Sequence, residues 1–255
     1  MIELNKNINW FPGHMKKTFD TINENLKTTT LIIECIDARI PKSSRNPVLY
    51  EKIKNKVHIT VYTKIDLIEN KMTLSSKNAF KINANNGEGI KALQKYLKSF
   101  EKNDKEKEQR IMIVGIPNSG KSSLINRLVN KKKAGVGDKP GFTKKPQWVK
   151  YSNRIYLLDT PGILWPKIET KKQAENLAIT GAIKSEVIDE FEIAIALIKR
   201  IISNQSDEKA FTYLLEFAKK RGFLLKGGKL DFQRAAFSLL TEYRKGRFAD
   251  ISLDN

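Results

Sequence analysis

Cysteine is almost absent from this sequence, since Cys35 is the only one among 255 residues. One cysteine cannot form an internal disulfide, which excludes the class of small secreted domains that disulfides hold together. Cys35 lies in the apolar run LIIECI. We therefore predict a small buried residue in a reducing compartment rather than a reactive thiol.

Long hydrophobic runs are missing as well. No apolar stretch approaches the roughly 18 residues that a membrane-spanning helix needs. The opening MIELNKNINWFPGHM contains no continuous apolar segment of the kind found in signal peptides. The sequence therefore predicts a cytoplasmic protein without a membrane partner, and we expect it to be a monomer.

Acidic residues are few beside the basic ones, with 28 Asp and Glu against 47 Lys and Arg and a net charge of +19. This excess predicts a polyanionic partner, most simply nucleic acid. The alternative is that many lysines are merely solvated. Residues 171–255 carry a net charge of only +3, and residues 1–170 carry the other +16. Any surface for a polyanion is therefore expected to include the first part of the chain.

Short β-rich runs alternate with helical patterns through the first 170 residues. This alternation predicts an α/β domain over residues 1–170, with a mostly parallel sheet covered by helices on both faces. Beyond residue 170 only helical periodicity continues, which predicts a small all-α domain over residues 171–255. The predicted strands span 31–37, 57–62, 80–83, 110–115, 147–151 and 155–159, and the first part's predicted helices span 46–54, 89–100 and 121–131.

The segment GIPNSGKS at 115–122 fits the phosphate-loop pattern G-x-x-x-x-G-K-[ST] without deviation. An apolar strand run precedes it and a helical pattern follows it. The glycines let backbone N–H groups curl around phosphates, and the helix N-terminus favours negative charge. Lys121 is expected to reach the β- and γ-phosphates and Ser122 to ligate Mg²⁺. The predicted nucleotide ligands in this segment are Asn118, Ser119, Gly120, Lys121, Ser122 and Ser123.

An apolar run ending in Asp-x-x-Gly, LLDTPGI at 157–163, supplies the second phosphate element. Asp159 is predicted to hold Mg²⁺, usually through a water, and the Gly162 N–H to meet the γ-phosphate. Between the two elements lies the polar, glycine-rich segment AGVGDKPGFTKK, a candidate switch ordered by the γ-phosphate. Thr143 within it is our candidate for a second hydroxyl on Mg²⁺, the alternative being an ordinary surface threonine. The predicted catalytic residues so far are Lys121, Thr143 and Gly162.

The tetrapeptide Thr63-Lys64-Ile65-Asp66 looks like the guanine-reading element of a GTPase, whose usual form is Asn-Lys-x-Asp. Asp66 can accept hydrogen bonds from guanine N1–H and the N2 amino group, a donor pair that adenine lacks. The aliphatic stem of Lys64 can lie along the base. Downstream, Asn83 and Ala84 resemble the Ser-Ala loop whose backbone N–H meets guanine O6.

We call residues 63–66 the base reader. The base reader comes before the phosphate loop in the chain, whereas an ordinary GTPase has the reverse order. This order resembles the circularly permuted GTPases, and the chain is similar to the ribosome biogenesis GTPase A family of large-subunit assembly factors. Two positions depart from the usual pattern, Thr63 and Asn83. The predicted nucleotide-binding residues in the base reader and the Ser-Ala-like loop are Thr63, Lys64, Asp66, Asn83 and Ala84. Thr63 can hydrogen-bond the surrounding loops, and we assign it no direct contact to guanine N7. The most specific matching segments are NWFPGHM at 9–15, DARIPKSSRNP at 37–47, GIPNSGKSSLIN at 115–126, PGFTK at 140–144, DTPGIL at 159–164 and KGRFADISL at 245–253.

The resemblance implies GTP hydrolysis on the large ribosomal subunit or its precursor, with ribosomal RNA and ribosomal proteins as partners and GTP or GDP as ligand. Ile163 stands where many GTPases carry the glutamine that orients the attacking water. The resemblance offers His14 as the substitute, the alternative being a structural histidine packed with Trp10 and Phe11. Asn118 matches an asparagine that ligates K⁺ in related GTPases, so the implied cofactors are Mg²⁺ and K⁺.

Three alternatives stay open at this point. The chain is a nucleotide-dependent switch that hydrolyses GTP, an RNA-binding module that keeps GTP as a structural ligand, or an ATP-dependent P-loop enzyme if the tetrapeptide at 63–66 is accidental. The role of the segment at 37–47 is also open. Arg39 or Arg45 could contact RNA phosphate, or the segment could form a structured loop that caps the sheet.

Overall fold

The computed structural model describes residues 13–68, 74, 78–103, 108–129, 146–183, 188–203, 206–247 and 251–254, without the side chains of 13–17 and 101–103. Its six strands form one sheet in the order β3-β2-β1-β4-β6-β5. All neighbouring strands run parallel except β5, which pairs antiparallel with β6 at the edge. The strands are β1 (Leu31–Asp37), β2 (His58–Thr63), β3 (Ala79–Ile82), β4 (Gln109–Val114), β5 (Gln147–Lys150) and β6 (Ile155–Asp159).

Helices cover both faces of this sheet, because successive side chains of a strand point to opposite faces. Ile33 and Ile113 pack on one face with α3 and α4, and Ile32 and Met112 pack on the other with α1 and α2. Strands buried on both faces explain why β1 reads as a nearly continuous apolar run. These helices are α1 (Gly13–Leu26), α2 (Pro47–Ile53), α3 (Ile90–Asn103) and α4 (Lys121–Leu128).

Four further helices follow the sheet in the part of the chain that the structure describes. Each begins behind a polar side chain that accepts a hydrogen bond from a backbone N–H of its first turn, which satisfies a donor that would otherwise lack a partner. The caps are Thr170, Asp189, Ser206 and Asp231. We call residues 171–254 the helical part; its helices are α5 (Lys171–Ile179), α6 (Glu190–Ile201), α7 (Asp207–Lys220) and α8 (Phe232–Arg244).

The hydrophobic core of the helical part extends into the sheet part of the molecule. Ile40, Ile116, Leu164 and Trp165 are at most 3% exposed and belong to the same cluster as α5, α6 and α8. Ile40 follows β1, Ile116 lies in the phosphate loop, and Leu164 and Trp165 follow β6. The contact between the two parts is therefore apolar and lies beside the loops that leave the sheet.

The predicted fold class, a P-loop α/β fold followed by helices, is confirmed. Every predicted strand is present, with ends shifted by one residue at most. Helix α1, from Gly13, is an addition to the predicted elements. The division into domains at residue 170 stays a prediction. Within the described residues, no helix has both the length and the apolar character to span a membrane.

Candidate nucleotide site

The loops singled out in the sequence leave one edge of the sheet. The carboxyl ends of parallel strands meet at the same edge, and open α/β sheets bind ligands there. The phosphate loop follows β4, which lies between β6 and β1, and the tetrapeptide at 63–66 closes β2. Asn83 and Ala84 directly follow β3, which pairs with β2, so they lie next to this tetrapeptide. The permuted order of the motifs is therefore compatible with one site.

Close packing shapes the phosphate loop. Gly120 has a backbone φ of +83°, which favours glycine, and a side-chain Cβ there would lie 3.3 Å from the Cβ of Thr63. Helix α4 begins directly afterwards, with Ser122 and Ser123 in its first turn. The Lys121 ammonium donates to the backbone oxygens of Ile116 at 2.8 Å and Gly115 at 3.3 Å. Burial lowers the pKa of Lys121 to about 8.

Asp159 and Ser122 meet beside the phosphate loop, where the Ser122 hydroxyl donates to Asp159 Oδ2 at 2.8 Å. A hydroxyl and a carboxylate are the hard oxygen ligands that Mg²⁺ prefers, usually together with waters and substrate phosphates. Within the described residues, no group of three or more His, Cys, Asp or Glu side chains could hold a metal. The donor set therefore fits a magnesium ion bound jointly with a nucleotide rather than a dedicated metal centre.

Gly162 touches the phosphate loop so closely that a side chain would not fit. A Cβ at this position would lie 2.4 Å from both the backbone nitrogen and the Cα of Pro117. The next residue reinforces the contact, since the Ile163 N–H donates to the Gly115 oxygen at 3.1 Å. The Ile163 side chain is buried and apolar. The geometry thus ties the Asp-x-x-Gly segment to the phosphate loop through backbone groups.

The predicted base-reading segment at 63–66 is hydrogen-bonded to the phosphate loop. The buried Thr63 hydroxyl donates to the Ser119 oxygen at 2.7 Å, and it lies 3.2 Å from the Ile36 oxygen. The Lys64 ammonium donates to the Asn118 oxygen at 2.5 Å. Thr63 therefore contacts the surrounding loops as expected, and the two motifs form one structural unit.

Asp66 lies in a short 3-10 turn, Ile65–Leu67, beside the second base loop. The Asn85 amide donates to Asp66 Oδ2 at 3.3 Å. Asn83 shapes that loop, because its side-chain oxygen accepts from the backbone N–H groups of Asn85 and Asn86. Asn83 is buried, and Ala84 follows it in the turn. The replacement of Ser by Asn is thus accommodated by a side-chain-to-backbone turn.

A buried ion pair just behind the base reader was not among the predicted site residues. Arg39 donates from Nε and Nη2 to the two carboxylate oxygens of Asp37, at 3.0 and 2.7 Å. The Lys64 ammonium donates to the same carboxylate at 2.9 Å. Burial would raise the Asp37 pKa, but the charges and hydrogen bonds of Arg39 and Lys64 hold it well below its usual range. The sequence signal for this ion pair was Asp37-Ala38-Arg39 at the end of a buried strand, where an acidic and a basic side chain are close enough to pair.

The segment at 37–47 is a structured loop that contacts the helical part. Arg39 is fully buried, so the interpretation that it contacts RNA phosphate is wrong, whereas Arg45 is exposed. Asp254 accepts hydrogen bonds from the backbone N–H groups of Lys42 and Ser43, at 2.6 and 2.8 Å. The buried Asn176 amide donates to the Ser43 hydroxyl at 2.9 Å. This loop therefore joins β1 to α5 and to residues 251–254.

The phosphate loop also contacts the helical part through Asn118. Its side-chain amide donates to the Gly181 oxygen at 2.8 Å, just beyond the end of α5. Arg244 of α8 donates to the neighbouring oxygens of Ala178 and Ile179. Two predicted residues cannot be placed: Thr143 lies outside the described residues, and His14 lies in α1 without a described side chain.

Comparison with known proteins agrees with this geometry. The family described as 50S ribosome-binding GTPase matches residues 110–226. The Ribosome biogenesis GTPase A of Bacillus licheniformis is 37% identical, covering 97% of this chain and 98% of that protein. The protein of the same name from Thermotoga maritima is 35% identical, covering 97% and 94%. The chain belongs to the ribosome biogenesis GTPase A family.

Solved structures of this family match as well. The structure titled GNP-bound YlqF from T. maritima superposes with a TM-score of 0.71 at 30% identity, covering 93% of this chain and 97% of that one. The GDP-bound YlqF structure gives 0.68 at 31% identity, covering 89% and 95%. As a ribosome biogenesis GTPase A family member, the chain hydrolyses GTP and acts in ribosome assembly. The ATP-dependent alternative is thereby excluded.

Proposed function

We propose that this chain is a cytoplasmic assembly factor for the large ribosomal subunit that acts on ribosomal RNA as a nucleotide-dependent switch. The observation that carries the proposal is the continuity between the Asp-x-x-Gly segment and the helical core. Gly162 and Ile163 touch the phosphate loop, and Leu164 and Trp165, directly after them, are buried against the helical part. A movement of Gly162 in response to the γ-phosphate would therefore reach the helices through covalent neighbours.

The large subunit as partner is supported by the description 50S ribosome-binding GTPase and by the name of the curated relatives. The net charge of +19 supports an RNA partner. A cleft of about 1020 Å³ in the helical part adds a candidate surface. Its lining combines basic and aromatic side chains, as surfaces for single-stranded nucleic acid do. Those side chains include Lys171, Lys172, Lys199, Phe191 and Phe211. The lining also holds the carboxylates of Glu175, Glu192 and Asp207, and Asp207 and Glu175 pair with Lys199 and Arg200.

Hydrolysis in this site rests on positioning and charge, as it does in other P-loop GTPases. Lys121 would neutralise the β- and γ-phosphates, and the Gly162 N–H would donate to the γ-phosphate. Ser122, Thr143 and Asp159 would hold Mg²⁺, which supplies charge neutralisation at the phosphates. The buried Ile163 side chain offers no hydrogen bond to the attacking water. We assign that role to His14, which the resemblance to the family implies.

Potassium is the second cation in the proposal. The Asn118 amide donates its hydrogen to Gly181 from the nitrogen, so a cation would be ligated by the amide oxygen. A monovalent cation there would neutralise charge near the bond between the β- and γ-phosphates, as an arginine finger does. The contact with Gly181 means that the helical part helps to hold the orientation of this ligand.

The test is GTP turnover with and without immature large ribosomal subunits, each measured in K⁺ and in Na⁺ at equal ionic strength. We expect the subunits to accelerate turnover and K⁺ to exceed Na⁺. His14→Ala should keep the affinity for nucleotide and lose most of the stimulated rate. His58→Ala is the matched control, because His58 lies at the start of β2 beside Tyr50 and should leave turnover unchanged.

Three outcomes would contradict parts of the proposal. A GTP turnover rate that is the same with and without large subunits would favour the alternative of an RNA-binding module with GTP as a structural ligand. Equal rates in the two salts would remove K⁺ from the mechanism. A His14→Ala protein with full stimulated turnover would return His14 to a structural role.

A further inference from the structure

Arg39 is buried completely although it touches no expected nucleotide position. Its side chain is 1% exposed, and within the described residues its Nη1 atom has no hydrogen-bond partner. A buried guanidinium with an unbonded nitrogen contributes less to stability than an apolar residue of similar size could. Its burial beside Asp37 therefore points to a role in placing its neighbours.

One set of contacts connects Arg39, through Asp37, to Lys64 of the base reader. Arg39 holds both oxygens of the Asp37 carboxylate, and the same carboxylate accepts a hydrogen bond from the Lys64 ammonium at 2.9 Å. Lys64 has a backbone φ of +57°, which a lysine rarely adopts. Such a conformation persists when surrounding contacts fix it. Asp37 and the Asn118 oxygen supply these contacts.

The conformation of Lys64 decides where Asp66 lies. Lys64 is the residue that precedes the 3-10 turn Ile65–Leu67, and Asp66 is the middle residue of that turn. A change in the Lys64 backbone would therefore rotate the turn and move the carboxylate. Hydrogen bonds to a purine edge depend steeply on distance and angle, so a small displacement would weaken guanine recognition.

A second set of contacts connects Arg39 to the helical part. The Tyr243 ring of α8 lies 5.2 Å from the guanidinium carbon of Arg39, a cation–π distance. The Arg39 backbone oxygen accepts a hydrogen bond from the Leu253 N–H at 2.8 Å. Tyr243 is itself buried, at 3% exposure. We call Tyr243, Arg39, Asp37 and Lys64 the Arg39 bridge.

We propose that Arg39 is a positioning residue for guanine selectivity, and that the helical part supports this selectivity through Tyr243. The inference deepens the proposed function, because it rests on Asp66 as the residue that reads guanine. The Arg39 bridge fixes the turn that carries Asp66, so loosening the bridge weakens the contact to the guanine N2 amino group. Base selectivity is then set partly by a residue outside the α/β fold.

The readout is the ratio of the dissociation constants of IDP and GDP, measured on the full chain with Mg²⁺. Inosine lacks the N2 amino group, so this ratio reports one hydrogen bond to the Asp66 carboxylate, worth about tenfold or more. Partial unfolding weakens both nucleotides equally and leaves the ratio unchanged. A merely structural role of Arg39 would therefore not move it.

Arg39→Lys is the first variant, because it keeps the charge but loses the planar fork of Nε and Nη2 that holds both oxygens of Asp37. We expect the ratio to fall by about threefold to tenfold, a typical size for coupling through a contact network. Tyr243→Leu removes the ring and should lower the ratio in the same direction. Tyr243→Phe keeps the ring, removes the hydroxyl with its hydrogen bond to the Ile251 oxygen, and should behave like the unmodified protein.

Two controls complete the design. Arg110→Lys alters another arginine that lies over an aromatic ring, 5.8 Å from the Trp148 ring on the edge strand β5, and should leave the ratio unchanged. Asp66→Asn should abolish most of the preference for GDP. If Arg39→Lys fails to fold, the pair of Tyr243 variants still decides the proposal.

The outcomes separate the two levels of inference. A preserved ratio in Arg39→Lys or in Tyr243→Leu, together with a collapsed ratio in Asp66→Asn, overturns the role of the Arg39 bridge and leaves the base reader in place. A preserved ratio in Asp66→Asn overturns both, because the base is then recognised elsewhere. A fall of the IDP-to-GDP ratio in Arg110→Lys equal to the fall in Arg39→Lys also overturns the role of the Arg39 bridge.

Discussion

The phosphate end and the base end of the proposed nucleotide site are built in different ways. At the phosphate end, backbone groups and glycines lie in closest contact, as between Gly162 and Pro117. At the base end, the side chains of Thr63 and Lys64 reach back to phosphate-loop oxygens. A site built from backbone groups demands particular residues, whereas one built from side-chain hydrogen bonds tolerates replacements that keep a suitable donor. This difference explains why the phosphate loop follows its pattern without deviation although the base reader does not.

The sharpest test of the base end is Asp66→Asn. The amide offers a donor where guanine needs an acceptor, so two charge-assisted hydrogen bonds are lost. We expect the dissociation constant of GDP to rise roughly 10³-fold, and that of xanthosine diphosphate to fall. Competition binding with both nucleotides checks this. An unchanged GDP affinity would show that the base end lies elsewhere.

Gly162→Ala tests the phosphate end. The added methyl group would overlap the backbone of Pro117, so either the Asp-x-x-Gly segment or the phosphate loop must move. We expect GTP turnover to fall roughly 10²-fold, in line with the loss of one transition-state donor. GDP affinity should change much less. Single-turnover hydrolysis beside GDP titration separates the two, and equal losses in both would argue against a role specific to the γ-phosphate.

Thr63→Val asks whether the link between the two ends matters. Valine matches the shape of threonine but leaves the Ser119 and Ile36 oxygens without this donor in a buried place. We expect roughly tenfold weaker GDP binding, from an unsatisfied buried acceptor. Thr63→Ser keeps the hydroxyl and serves as the control. Equal affinities for the two variants would mean that the hydroxyl is dispensable.

The smallest expected effect is a pH dependence at the phosphate end. Because the Lys121 pKa is lowered to about 8, the free protein loses this positive charge as the pH rises above that value. Binding a phosphate then requires proton uptake. Between pH 7.5 and 8.8 the GDP dissociation constant should rise about fivefold more than in Lys121→Arg, which stays charged. Calorimetry in two buffers would detect the proton, and its absence would contradict the lowered pKa.

The same burial has a stability consequence of defined sign. The folded state binds fewer protons at Lys121 than the unfolded chain does between about pH 8 and the ordinary lysine pKa. The free energy of unfolding of the free protein should therefore gain from this residue as the pH rises through that window. Below about pH 8 both states are protonated and the contribution is constant.

Sequence patterns predicted the strands and the residues of the phosphate loop, and they showed the permuted order of the motifs along the chain. Apolar alternation and glycine spacing are local signals, which is why they are readable from sequence. The Arg39 bridge escaped prediction for a physical reason. Arg39 and Tyr243 are far apart in the chain, and an arginine on a loop is usually exposed. The link from Asn118 to Gly181 escaped for the same reason, since a side chain that bonds a distant backbone oxygen leaves no periodic trace.

The stacking of Arg39 on Tyr243 also concerns how the protein is made. The loop after β1 is synthesised early and α8 is synthesised late. The Arg39 guanidinium therefore has no Tyr243 ring to contact until most of the chain has been made. Contacts between such distant positions form slowly. A nascent chain of this assembly factor would thus complete its support for base discrimination only near the end of its own synthesis.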